Sequence, residues 1–337
     1  MTKEFRNTEA GAAIDPIMAN DEPPINSDNT AYCDPETGVC NIMSNKPLDE
    51  TVNLDDVAEL TSTKPVQLIY VTDPICSYCW QAEPELEKFT MLYGEHMDVK
   101  IVMGGLLESW DDFADDANGI RKPSDVGAHW REAAARFGMP IDGTVWDKEP
   151  IESSFPASIA FKLVQQISDT SSKRFLRAIR EEVMIFNRNV SKDEVLINVL
   201  DRNNRNGKKV VEDTKTDEAR ALLTGDIALA RSLGAVSFPT VIMINAEGEG
   251  IRIPGLRDFD TYEKALFELT GEEFEPAALP ELKEMFNLSR NIFFKEIEVM
   301  YDLQPAQVEA FIAHNLPENT YEVREILGAK YIIRKEL

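Results

Sequence analysis

Asp73-Pro74-Ile75-Cys76-Ser77-Tyr78-Cys79-Trp80 decides how the rest of the chain is read. Residues 66–71, just before it, form an apolar run rich in β-branched side chains, the pattern of a buried strand. A helical pattern then takes over from residue 76 to about residue 93. Two cysteines therefore fall at the start of a helix fed by a strand, where unpaired backbone N–H groups and the helix dipole stabilise negative charge. Cys76, the outer thiol, is expected to ionise below the free-cysteine value of ~8.5 and to act as the nucleophile. Cys79, one turn inward, is expected to be shielded and to act as the resolving thiol. Pro84 is expected to kink the helix, because it deletes one amide donor and crowds the preceding turn.

A lone C-x-x-C is also half of a zinc site, so its context matters. A second stretch strengthens the redox reading: Gly234-Ala235-Val236-Ser237-Phe238-Pro239-Thr240-Val241-Ile242-Met243-Ile244-Asn245. A proline that follows a bulky residue and opens an apolar strand is the sequence form of a cis peptide bond beside a dithiol. A trans proline opening a strand is commoner in general. With the dithiol strand present, the cis form at Phe238-Pro239 is the expectation.

Two further stretches, Met103-Gly104-Gly105-Leu106 and Pro150-Ile151-Glu152-Ser153-Ser154-Phe155-Pro156-Ala157-Ser158, complete a pattern over roughly residues 66–270. It resembles the DsbA-like branch of the thioredoxin superfamily, and within it a cytoplasmic group that includes the SpxH (YjbH) adaptors of the ClpXP protease. The resemblance implies an α/β, thioredoxin-like fold with a large helical, DsbA-type insertion. It implies a thiol-disulfide oxidoreductase or isomerase acting on protein or small disulfides. Cys76 and Cys79 would be catalytic with Pro239 beside them, and Ser77, Tyr78, Trp80 and Phe238 would border the substrate. For Trp80, core packing is the better reading. The alternative is a non-catalytic protease adaptor or protein-binding module of the SpxH type. An adaptor should keep its activity when Cys76 and Cys79 become serine, whereas an oxidoreductase should lose turnover.

The chain departs from the pattern twice. The dipeptide Ser77-Tyr78 contains no histidine and so brings no positive charge, which predicts a less stabilised thiolate and a more reducing potential. Six residues before Cys76, where the family often keeps a buried carboxylate, stands Tyr70. Asp73 is the nearest substitute in sequence, and it reads equally well as a turn residue before Pro74.

Composition narrows the function further. The 337 residues carry 60 Asp or Glu against 35 Lys or Arg, a net charge of −25, which repels nucleic acid and anionic lipid. No apolar stretch approaches the ~18–20 residues that span a bilayer. The start has no apolar core behind its charges and so does not read as a secretory signal, which predicts a cytoplasmic address where thiols are kept reduced. His96, His129 and His314 are too scattered for a histidine-based metal site, and no cofactor is implied. The expected partners are protein disulfides or thiols, a thiol reductant, and a protease or regulator at the C-terminal module.

Three regions follow. Residues 1–62 hold thirteen acidic against three basic side chains with several prolines, and are expected to be a largely disordered tail. Within it, Cys33 and Cys40 flank turn-forming residues that can bring them to the ~4.4–6.8 Å Cα separation of a disulfide. They could be a second redox pair exchanging electrons with Cys76 and Cys79, half of a four-thiolate zinc site, or idle thiols. Residues 63–271 are the thioredoxin-like domain, with the helical insertion at about 106–233. Residues 272–337 read as helices at 281–288, 292–301 and 305–314 and a hairpin at 321–327 and 330–335, a small winged-helix-like module. Ten acidic against seven basic side chains in 281–337, without a basic row, argue against DNA and for protein contact or internal docking.

Overall fold

The computed structural model of the chain describes residues 5–6, 31–33, 40–42, 62–113, 119–288 and 291–335. Three short strands come first: β1 (Phe5–Arg6), β2 (Ala31–Cys33) and β3 (Cys40–Ile42). The expected disorder of residues 1–62 and the turn at 34–39 otherwise lie outside the described residues.

Strand β4 (Val66–Thr72) is buried along its whole length, which suits its near-continuous apolar run. Helix α1 (Ser77–Tyr93) leaves its C-terminal end with Pro84 inside it, and β5 (Met97–Met103) returns parallel to β4, with Val66 opposite Met97 and Thr72 opposite Met103. The insertion follows as α2 (Pro123–Phe137), α3 (Val145–Lys148), α4 (Phe155–Gln165), α5 (Asp169–Arg180), α6 (Asp193–Arg202), α7 (Gly207–Asp213) and α8 (Asp217–Ser232). Helix α5 runs into a five-residue π turn, Glu181–Ile185, where the sequence pattern suggests one uninterrupted helix. Such turns insert one extra residue and re-aim the side chains around them.

The chain re-enters the sheet through β6 (Ser237–Phe238), β7 (Thr240–Asn245) and β8 (Gly250–Pro254), and α9 (Phe259–Thr270) closes the domain. Ala246-Glu247-Gly248-Glu249 reads in the sequence as a turn between two antiparallel strands, and the β7–β8 hairpin turns there, with Gly248 at φ 79°. The five-stranded sheet has the order β1-β8-β7-β4-β5, with β7 antiparallel to β4. The fold is thioredoxin-like with a helical insertion, as expected.

Beyond Gly271, α10 (Leu282–Leu288), β9 (Asn291–Phe293), α11 (Phe294–Met300), α12 (Val308–Asn315), β10 (Tyr321–Ile326) and β11 (Ala329–Arg334) form a small module of helices and a sheet ordered β10-β11-β9. Residues 292–301, expected as one helix, open instead with β9, because Asn291, Ile292 and Phe293 pair with Ile333, Ile332 and Tyr331. The module has its own apolar core around Met285, Phe286, Ile297 and Ile312. It docks on the dithiol helix: the Phe293 ring meets Trp80 edge-on at 6.0 Å, and Lys88 pairs with Asp302 at 2.5 Å. One face of the module is therefore packed inside the molecule against α1. Among the described residues no helix is long and apolar enough to cross a membrane.

Candidate functional site: a buried dithiol at the start of a helix

The turn between β4 and α1 is built by its own residues. Asp73 Oδ1 accepts the Ile75 N–H at 3.0 Å, and the Cys76 N–H donates to the Asp73 carbonyl at 3.3 Å. Cys76 is the N-cap of α1 rather than a member of its first turn. Its sulfur accepts the Cys79 N–H at 3.1 Å, the bond a serine or aspartate usually supplies there. Both thiols are free, Cys76 2% and Cys79 0% exposed.

Burial changes which sulfur carries charge. Burial pushes the Cys76 thiol well above its ordinary value, and the hydrogen bond and charge of Cys79 add to the rise. The Cys79 N–H and the charge of Arg180 act the other way but are outweighed. Burial also opposes ionisation of Cys79, yet the hydrogen bond from Cys76, the charge of Arg180 and the Thr72 hydroxyl hold it below its ordinary value. The inner thiol is thus the more readily ionised of the two, against the expectation that Cys76 ionises first.

Arg180 is the residue that sequence reading missed. It is 1% exposed at the end of α5, donates to Glu83 Oε1 at 2.5 Å, to the Thr72 hydroxyl and to the Asp73 carbonyl at 3.3 Å. It supplies from a distant helix the positive charge that Ser77 and Tyr78 lack.

Asp73 serves as turn residue and buried carboxylate together. Its Oδ2 accepts the Leu106 N–H at 2.9 Å and the Ser154 hydroxyl at 2.8 Å, so both glycine-rich and serine-rich stretches converge on it. Burial lifts its carboxyl to about 6, against the pull of these donors and of Arg180. Tyr70 donates its hydroxyl to the Cys79 carbonyl at 3.3 Å.

Phe238-Pro239 is cis, and Phe238 shares a buried cluster with Cys76 and Cys79. Gly104 leaves room for it: a Cβ there would lie 2.0 Å from the Phe238 ring. The residues expected to border a substrate are all buried. Tyr78 packs against His129 and Phe137, with ring centroids at 5.5 and 5.9 Å. Trp80 donates to the Pro140 carbonyl at 3.0 Å and lies under Arg177 at 4.7 Å, so it packs in the core. Ser77 instead lines, with Cys76, a cavity of about 50 Å³ walled by Leu106, Trp130 and Trp146. His129 Nε2 and Trp146 Nε1 are buried there without a hydrogen-bond partner among the described residues. Burial lowers the pKa of His129, which favours the neutral imidazole.

The edge beside Pro239 is paired. Strand β3 runs antiparallel to β6, with Cys40 opposite Phe238 and Asn41 opposite Ser237, and Cys33 faces Cys40 across the β2–β3 ladder. Among the described residues no group of three or more His, Cys, Asp or Glu could hold a metal ion.

The profile of the thioredoxin family matches residues 69–264. Among characterised relatives, the ClpXP adapter protein SpxH of Halalkalibacterium halodurans is 29% identical over 286 residues, covering 84% of this chain and 90% of the relative. The SpxH protein of Bacillus subtilis is 29% identical over 250 residues, 73% of this chain and 81% of its own. Two solved structures share the fold. One is a protein from Nitrosomonas europaea proposed to be a disulfide isomerase (TM-score 0.51, 20% identity, 62% of this chain, 97% of that one). The other is a protein from Streptomyces coelicolor assigned as a probable DsbA oxidoreductase (TM-score 0.50, 16% identity, 64% and 94%).

Proposed function

Because this chain belongs to the thioredoxin family, in its DsbA-like branch with the SpxH group, we propose that it is a protein-binding adaptor that brings client proteins to a ClpXP-type protease. The observation that carries this reading is the reach of the likeness. The 286 residues aligned with the adaptor of H. halodurans exceed what residues 69–264 can hold, so the likeness extends beyond the dithiol domain. The docked C-terminal module supports it, since a second folded surface beside α1 suits an adaptor that holds two proteins at once. A cytoplasmic address fits this reading.

The test uses proteolytically inactive ClpP as a trap in cells with and without the full chain. At least one protein should enter the trap only when the chain is present, and equally with the Cys76→Ser/Cys79→Ser variant. Identical trap contents in all three strains would refute delivery.

The 3.1 Å contact from the Cys79 N–H to the Cys76 sulfur, with Arg180 behind it, favours a second and compatible reading as a thiol-disulfide oxidoreductase. When a substrate opens the site, the Cys76 proton passes to Cys79 and the Cys76 thiolate attacks one sulfur of the disulfide. A mixed disulfide forms and the other substrate sulfur leaves as a thiolate. Cys79 then attacks Cys76, closing the Cys76–Cys79 bridge and releasing the second substrate thiol, two electrons having moved to the substrate. Cys76→Ser should abolish reduction of a fluorescent glutathione disulfide by the chain. An unchanged rate would remove this reading.

A further inference from the structure

A strand edge beside a nucleophile is where an extended peptide adds itself to a sheet, its main chain supplying the hydrogen bonds. In this molecule that edge is already taken by the chain itself. Strand β3 lies along Ser237–Phe238, and its residue opposite Phe238 is a cysteine, Cys40. Phe238 packs in one cluster with Cys76 and Cys79. The next strand out, β2, puts the remaining cysteine, Cys33, directly across from Cys40. Residues opposed in an antiparallel ladder have Cα atoms ~4.5–5.5 Å apart, inside the ~4.4–6.8 Å range of a disulfide. The four cysteines of the chain thus form two closable pairs, one that Cys40 places opposite Phe238 in the ladder and one clustered with Phe238.

We infer that the Cys33/Cys40 hairpin is a tethered disulfide substrate of the Cys76/Cys79 dithiol, held on the Ser237–Phe238 edge in place of an external peptide. The inference rests on the oxidoreductase reading above and names its substrate. Cys76 thiolate attacks the Cys40 sulfur of a Cys33–Cys40 disulfide; a Cys40–Cys76 bond forms, the Cys33–Cys40 bond breaks, and Cys33 leaves as a thiolate. Cys79 thiolate then attacks Cys76, which forms the Cys76–Cys79 bond and frees Cys40. The two protons of the original dithiol end on Cys33 and Cys40, and two electrons have passed to the hairpin. The reverse sequence reoxidises the hairpin when Cys76–Cys79 is the bridged pair. Only 23 residues separate Ile42 from Val66, and a short tether of this kind gives an effective concentration on the order of millimolar. External disulfides would therefore compete with a partner that is already in place.

The test is a trapping experiment on the full chain carrying Cys79→Ala, which leaves Cys76 without its resolving thiol. After treatment with one equivalent of diamide, a thiol oxidant, the protein is alkylated, digested without reductant and analysed by mass spectrometry. A Cys40–Cys76 linked peptide should dominate, at a yield unchanged on tenfold dilution, and should vanish with Cys40→Ser added. Wild-type reduction of fluorescent glutathione disulfide is measured alongside. If the wild type reduces that probe but the variant yields only a Cys33–Cys40 bridge with Cys76 alkylated, or only links between chains, the tethered substrate is refuted and the oxidoreductase reading stands. If the wild type does not reduce the probe, both fall together.

Discussion

Arg177 of α5 grips Glu296 with both terminal nitrogens, at 2.5 and 3.0 Å, and so ties α11 of the C-terminal module to the helical insertion. The same guanidinium reaches Glu83 at 3.0 Å and Glu181 at 2.9 Å and lies 4.7 Å over the Trp80 ring. Three carboxylates thereby converge on one guanidinium, which offsets only part of their charge, with Glu296 only 6% exposed at its side chain. Removing one partner of a buried pair strands the others and costs about 3–5 kcal/mol. Arg177→Met should lower the melting temperature by calorimetry and open the C-terminal module to limited proteolysis. An unchanged melt would show that apolar packing alone holds the module.

Arg180→Met tests the charge behind Cys79. Arg180 lowers the Cys79 pKa, so its loss should move the appearance of thiolate absorbance at 240 nm to higher pH. A titration that coincides with the wild type would place the stabilising charge elsewhere.

Asp73 makes a pH-dependent contribution whose sign follows from burial. Its carboxyl holds its proton up to about 6 in the fold, against an ordinary value of 3.8. The folded state binds the proton more tightly, so this group favours folding at low pH. That contribution is lost as pH rises from 3.8 through 6, by about 3 kcal/mol in all. Asp73→Asn does not titrate. The wild type's melting-temperature advantage over the variant should therefore shrink between pH 4 and pH 7.5. An advantage that grows over that range would reverse the assignment.

Gly104→Ala puts a methyl group where the Phe238 ring lies, 2.0 Å from its nearest atoms. The ring is buried and must shift, at a cost of about 1–3 kcal/mol. The expected result is a destabilised chain with a Cys76 that alkylates faster, because Phe238 belongs to the cluster that covers it. Equal alkylation rates would mean that the edge does not shield the thiol.

Much of this site is legible in the sequence where local pattern and tertiary role agree. The β-branched run feeding Cys76, the proline after Phe238 and the Glu247-Gly248 turn each have a short-range cause, and the structure places strand, helix and hairpin where those causes point. Arg180 was not legible, because a basic residue on an amphipathic helix has the pattern of a solvated face. Only the packing of α5 turns it inward. The ionisation order of the two thiols was misread for a related reason: the helix start is local, whereas the burial that outweighs it is not. Strand β9 was hidden by its length of three residues and its direct run into α11. The pairing of β3 with β6 joins segments nearly two hundred residues apart, and the acidic composition around Cys40 gave no hint of it.

Degradation with purified components tests whether surfaces other than the dithiol deliver clients. A protein recovered from the trap is incubated with ClpXP alone, with the wild-type chain, and with the Cys76→Ser/Cys79→Ser variant, and its half-life is measured in each case. Both forms of the chain should shorten the half-life to the same extent. A half-life that neither form changes, or that only the wild type shortens, would contradict it.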